Sequence, residues 1–148
     1  MKVEDALRDV RRLFVDTAPV IYFVEQNPNF QSQVNAIFEQ VDAGQVRVVV
    51  SPITLAECLI SPMRSGNEKL QSDFQDLLVR GAFTEFVTIS EAIAVDAARL
   101  RATYNVSLAD ALQLATAVST QCDAFLTNDK QLKRVLNIQV LVVEELTL

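Results

Sequence analysis

Short apolar runs recur along this chain, separated by segments patterned as helix, and several of them stop abruptly at a polar or acidic residue. "RLFVD" ends at Asp16, "VRVVVS" at Ser51 and "DAFLTND" at Asp129, and "FTEFVTIS" and "IQVLVV" are two further runs of this kind. Runs rich in β-branched and aromatic residues, bounded by polar punctuation, read as strands. The intervening segments carry apolar residues at helical spacing. Phe30, Val34, Ile37, Phe38 and Val41 do so before Gly44, and "SPITLAECLI", "SDFQDLLVRG", "SEAIAVDAARLRATY" and "SLADALQLATAVSTQ" follow. "APVIYFVE" predicts helix after Pro19, "SPMRSGNEKLQ" a broken polar stretch, and "DKQLKRVL" a short helix. Strands alternating with helices, with few hairpin signals, predict a three-layer α/β/α fold on a mostly parallel central sheet. A single domain over residues 1–148 is expected.

Composition narrows the chemistry. Half of the residues are hydrophobic, which argues against disorder. No run approaches the ~18 apolar residues of a membrane span, and "MKVEDALRDVRRLFVD" lacks an apolar signal core. A cytoplasmic protein with no membrane partner is the expectation. The chain contains no histidine. That removes Ser-His-Asp and Cys-His nucleophilic sites, histidine acid–base ribonucleases and histidine-ligated metals. Cys58 and Cys122 stand apart, cannot build a zinc site and read as small buried thiols. What remains is chemistry of carboxylates, hydroxyls, amides, Lys and Arg, with oxygen-ligated hard cations available. The net charge of −6 disfavours broad binding to a polyanion, unless acids clustered at a cation site distort the count.

In a sheet of this type, ligands bind outside the carboxyl ends of the strands, where strand order reverses. Asp16 and Asp129 lie at two such ends and meet in one crevice if their strands are neighbours. Glu57 in "TLAE" and Asp110 in "SLAD" stand three residues after Thr54 and Ser107, the spacing of a capping box. Capping alone explains either acid, and explains Asp129 as a helix cap. Asp16, between an apolar strand and a helix, is harder to explain that way. Taken together the four converge on one rim, where unpaired carboxylates repel one another and a divalent cation resolves the repulsion. Asp123 reads as a turn residue at the far end of its strand, and Asp73, Asp76, Glu91 and Asp96 as solvated helix charges.

The segments "FVDTAPVIYFVE", "TLAE", "SLADALQLATA" and "DAFLTNDKQL" resemble, in order and spacing, the motifs of the PIN domain, most closely its VapC-type members. The resemblance runs from about Leu13 to Val143, leaving residues 1–11 as an extension outside the usual core. It implies a Mg²⁺- or Mn²⁺-dependent ribonuclease whose acidic quartet is Asp16, Glu57, Asp110 and Asp129. Thr17, Thr127 and Asn128 fall where the family carries hydroxyl or amide groups near the acids or the substrate phosphate. Ala18 departs from the Ser or Asn of many relatives, removing a polar contact but no acid. The implied partners are an RNA substrate, a cognate antitoxin and a second copy of the chain, with apolar "APVIYFVE" available to an interface. Arg64, Lys69, Lys130 and Lys133 are candidate phosphate contacts, each otherwise read as a solvated charge. Two other readings remain. A catalytically quiet PIN-like binding module fits the fold but not the full quartet. An aspartyl-phosphate enzyme or receiver lacks the second acid it needs, with Ala18 in one expected place.

Overall fold

The computed structural model describes residues 1–148. Five short strands form the sheet: β1 (Arg12–Val15), β2 (Arg47–Val50), β3 (Thr84–Phe86), β4 (Ala124–Thr127) and β5 (Gln139–Val142). Their spatial order is β3-β2-β1-β4-β5, and every pairing is parallel. The expected "mostly parallel" sheet is thus wholly so. The chain lays down β1, β2 and β3 in one direction, then crosses back to place β4 on the other side of β1. The switch point lies between β1 and β4, whose register pairs Leu13 with Ala124, Phe14 with Phe125 and Val15 with Leu126.

Seven helices cover the two faces: α1 (Val3–Ala6), α2 (Thr17–Val24), α3 (Gln31–Asp42), α4 (Pro52–Ser65), α5 (Glu68–Arg80), α6 (Glu91–Tyr104) and α7 (Leu108–Ser119). Side chains of a strand alternate between faces, and the core divides accordingly. Leu13, Val15, Val48, Val50, Ala124 and Leu126 pack with residues of α1 to α5. Phe14, Val49 and Phe125 point the other way, towards Ile93, Ala97, Leu114 and Ala117 of α6 and α7. Burial on both faces explains why these strands read as continuous apolar runs rather than alternating ones.

Several local features differ from the sequence reading. α2 begins at Thr17, with Asp16 as its cap, rather than after Pro19. Its aromatic residues serve the interior, because Tyr22 stacks on Phe30 and Phe23 on Phe38. α4 does not break at "SPMRSG". It runs through Pro62 to Ser65 and stops where Gly66 takes a left-handed conformation. Pro62 cannot donate to the carbonyl four residues back, yet it is buried and its own carbonyl accepts from Asn67 N and the Gln71 side chain. "FTEFVTIS" yields only the three-residue edge strand β3, and "DKQLKRVL" forms a 3₁₀ turn over Lys130–Arg134. No helix is long and apolar enough to cross a membrane.

Residues 1–11 are packed against the core. Val3, Ala6, Leu7 and Val10 are buried, and Val3 N donates to Thr147 O at 2.8 Å. At the same, N-terminal end of the strands, Asp123 Oδ2 accepts from Arg11 N at 2.8 Å and Arg12 N at 3.0 Å. Asp123 is thus a structural clamp joining β1 to the entrance of β4. Asp123→Ala is expected to lower stability by about 1–2 kcal/mol in urea titrations, through two unpaired amides. Any activity sited at the other end of the sheet should be unaffected.

Candidate active site

Asp16 follows β1 directly, and at the switch point it has β4 as its neighbour. Its amide continues the ladder by donating to Leu126 O at 2.9 Å. Its carboxylate is doubly held: Oδ1 accepts from Thr17 N at 2.8 Å and Oδ2 from the Thr127 hydroxyl at 2.9 Å. Thr127, the last residue of β4, also accepts from Asp129 N at 3.2 Å. One hydroxyl therefore links the two strand ends.

Glu57 reaches the same place from α4 and accepts from the Thr17 hydroxyl at 2.8 Å. Its expected capping-box role does not hold. Ser51, not Thr54, caps α4, and Thr54 is wholly buried within the first turn. Glu57 therefore sits in the second turn, too far along to serve the cap. Asp110 occupies the third position of α7, and its backbone N donates to the capping Ser107 hydroxyl at 3.1 Å. The return half of a capping box is not made, and the Asp110 carboxylate accepts no hydrogen bond. Asp129 does act as a cap, because its Oδ1 accepts from Gln131 N at 3.0 Å.

The electrostatics show which acids share a field. The Asp16 carboxyl is pushed up to about 6, chiefly by burial, with the like charges of Asp110 and Glu57 adding to the rise. The Thr17 amide and the Thr127 hydroxyl act in the opposite direction. Asp16 keeps an accessible edge, but protein encloses the remainder of the group. The buried Cys58 thiol is pushed up to about 12, again by burial first, then by Glu57, Asp16 and Glu25. It is inert as a nucleophile at neutral pH. Glu25, at the end of α2, is a contributor to this negative field that no spacing motif marks.

Glu57 and Asp110 thus each lie near enough to Asp16 to act on its charge, and Asp129 stands at the exposed rim, tied in through Thr127. No three of these carboxylates close on one ion-sized point. The donor set is hard oxygen throughout, and Mg²⁺ is usually held by one or two carboxylates while it keeps several waters. In donor chemistry the set suits such an ion, and Asp16, Glu57, Asp110 and Asp129 would be the residues to hold it. It does not fit a dehydrated cage.

The remaining candidates separate. Thr17 and Thr127 contact the acids, whereas Asn128 turns away to join Tyr22 Oη at 3.1 Å and Glu144 N at 2.9 Å. Lys69, Lys130 and Lys133 are engaged with Asp73, Glu144 and Glu145. Arg64 is exposed, has no such partner, and lies seven residues from Glu57, about two turns along the same face of α4. The sequence reading missed Gln113, which is buried in α7. A polar residue inside "ALQLATA", where the helical period calls for an apolar one, is the signal that marks it.

A family model described as "PIN domain" matches residues 13–137. Among solved structures, VapBC2 from Rickettsia felis bound to a promoter DNA fragment has a TM-score of 0.70 at 18% identity, over 88% of this chain and 98% of that one. A toxin–antitoxin complex from Klebsiella pneumoniae has a TM-score of 0.67 at 20% identity, covering 88% and 97%. Mycobacterium tuberculosis VapC20, described as a sarcin–ricin loop cleaving toxin, has a TM-score of 0.63 at 13% identity, covering 76% and 86%. No curated protein sequence matches.

Proposed function

Since this chain belongs to the PIN domain family, we propose that it is an endoribonuclease of the VapC type, hydrolysing RNA phosphodiester bonds with a Mg²⁺ or Mn²⁺ ion held at the mouth of the crevice. One observation carries the reading. A histidine-free set of acids gathers at the sheet's switch point, where the Thr17 and Thr127 groups tie Asp16 to Glu57 and Asp129, and where the Asp16 carboxyl is raised to about 6, chiefly by burial and further by the charges of Asp110 and Glu57. A bound cation would offset both the burial of the Asp16 charge and the like charges beside it.

Asp16, Asp110 and Asp129 would hold the ion directly or through water, and Glu57 would complete the shell or take a proton from the attacking water. When bound, such an ion lowers the pKa of water and screens charge on the phosphate. The chain's own groups do the positioning. The Thr127 hydroxyl and Thr17 amide aim the two oxygens of Asp16, and the Thr17 hydroxyl orients Glu57. Unpaired Arg64 is the best-placed cation for an RNA phosphate. Toxin–antitoxin complexes among the structural neighbours support a cognate antitoxin as partner, and exposed Ile60 and Met63 on α4 suit an interface in a homodimer. Cleavage of RNA that stops in EDTA and returns with Mg²⁺ tests the activity. A purified protein that binds RNA without cutting it under any metal condition would support the quiet binding module instead.

The electrostatics also predict a pH dependence of stability in metal-free protein. A carboxyl raised from 3.8 to about 6 keeps its proton in the folded state over a window where the unfolded chain has already lost it. Stability should therefore fall as pH rises from 4 to 6. A decrease of about 1–2 kcal/mol is expected after screening at the open edge of Asp16. Added Mg²⁺ should reverse the loss, and more strongly at pH 7 than at pH 4.5, since only the ionised acids bind it. Thermal melts at both pH values, with and without Mg²⁺, check the sign.

A further inference from the structure

A buried polar bridge joins the two helices that carry Glu57 and Asp110. Gln113 is 1% exposed, and Ser51 and Thr54 are 0% exposed. The Gln113 Oε1 accepts from the Ser51 hydroxyl, and its Nε2 donates to Thr54 Oγ1 at 2.7 Å. Ser51 Oγ in turn accepts from Ile53 N at 3.1 Å, capping α4. One amide from α7 thus grips the first turn of α4 at two points. A core polar residue needs partners and no more, but the helical spacing gives these bonds a further consequence. Glu57 lies three residues after Thr54, and Asp110 three before Gln113, so each acid stands on its helix one turn, about 4.5 Å of rise, from the bridge.

We propose that Gln113 is a positioning residue that fixes the separation of Glu57 and Asp110 across the crevice, and so tunes metal affinity and turnover without touching ion or RNA. The proposal rests on reading the crevice as a metal-dependent nuclease site. Glutamine suits the task because one planar group presents an acceptor to Ser51 and a donor to Thr54. Methionine fills a similar volume but makes neither bond, and asparagine is one methylene short.

The test uses two variants of the full chain. Gln113→Met keeps the packing and removes the bonds. The double variant Thr54→Val, Gln113→Met also removes the unpaired Thr54 hydroxyl while Ser51 keeps its cap on α4, so it should recover part of the stability that the single change loses. Mn²⁺ binding is measured by calorimetry on metal-free proteins, alongside kcat and KM for RNA. Both variants should bind Mn²⁺ about tenfold more weakly and turn over about tenfold more slowly, at unchanged KM, in the range seen when partners of metal ligands are removed. Recovery of stability without recovery of Mn²⁺ affinity separates positioning from mere folding. If wild-type protein binds Mn²⁺ and cuts RNA while either variant matches it in affinity and kcat, the bridge has no positioning role and the proposal is overturned alone. If wild-type protein neither binds Mn²⁺ nor cuts RNA, the nuclease reading fails and takes the proposal with it.

Discussion

RNA cleavage by an Asp110→Asn variant is expected to fall by at least about a hundredfold, since even the partners of metal ligands contribute ten- to a hundredfold and a ligand contributes no less. Its fold should survive. The Ser107 hydroxyl receives the Asp110 backbone amide, which asparagine retains, and the carboxylate itself accepts no hydrogen bond. Losing a charge in the first turn of α7 removes about 0.3–1 kcal/mol of favourable interaction with the helix dipole. It also removes one of the like charges that hold the Asp16 carboxyl up. The two effects oppose each other, so the melting temperature should shift little in metal-free protein. A single-turnover assay against a long RNA, with melts on the same samples, separates lost chemistry from lost structure. Retained cleavage in a folded variant would remove Asp110 from the site.

The second large effect concerns the sheet that delivers these acids. Phe125 is wholly buried and stacks on Phe14, its register partner in the adjacent strand, with ring centroids 5.2 Å apart. The pair lies on the face covered by α6 and α7, at the centre of the switch point. Phe125→Ala should destabilise by about 3–5 kcal/mol, through lost transfer energy plus a cavity that parallel strands cannot close. The melting midpoint should fall by about 10–15 °C for a chain of this length. Phe125→Leu should cost less than about 2 kcal/mol, because it keeps most of the volume. Equal losses for the two substitutions would mean that the stacked pair is not the packing centre.

The fold was largely readable because parallel strands covered on both faces write themselves as unbroken apolar runs. Leu13, Phe14 and Val15 are all fully buried, and the stop at Asp16 marks where the strand leaves the sheet. Strand order was less readable, since the pairing of β1 with β4 joins residues over a hundred positions apart and no local propensity encodes it. Pro62 misled in the other direction, because a proline in a polar stretch ordinarily ends a helix and tertiary burial overrode that rule. At the site, residue identity was legible and geometry was not. The "TLAE" spacing resembles a cap, yet Ser51 takes that role and releases Glu57 to the crevice. "SLAD" uses only the hydroxyl half of the motif. Asn128 belongs to the link between α2 and the end of β5, and neighbouring Thr127 supplies the contact to Asp16. Gln113 passed unnoticed because helical periodicity treats an isolated polar residue as noise, whereas burial shows it to be a deliberate bridge.

The central claim is that Asp16, with the acids around it, holds a divalent cation at the mouth of the crevice. Calorimetric titration of Mn²⁺ into metal-free protein at pH 7.5, compared with Asp16→Asn, tests it most directly. Saturable binding to the wild-type chain, weakening below pH 6 and reduced at least about tenfold in the variant, is the predicted result. Binding that is absent from the wild type, or unchanged when Asp16 loses its charge, would contradict it.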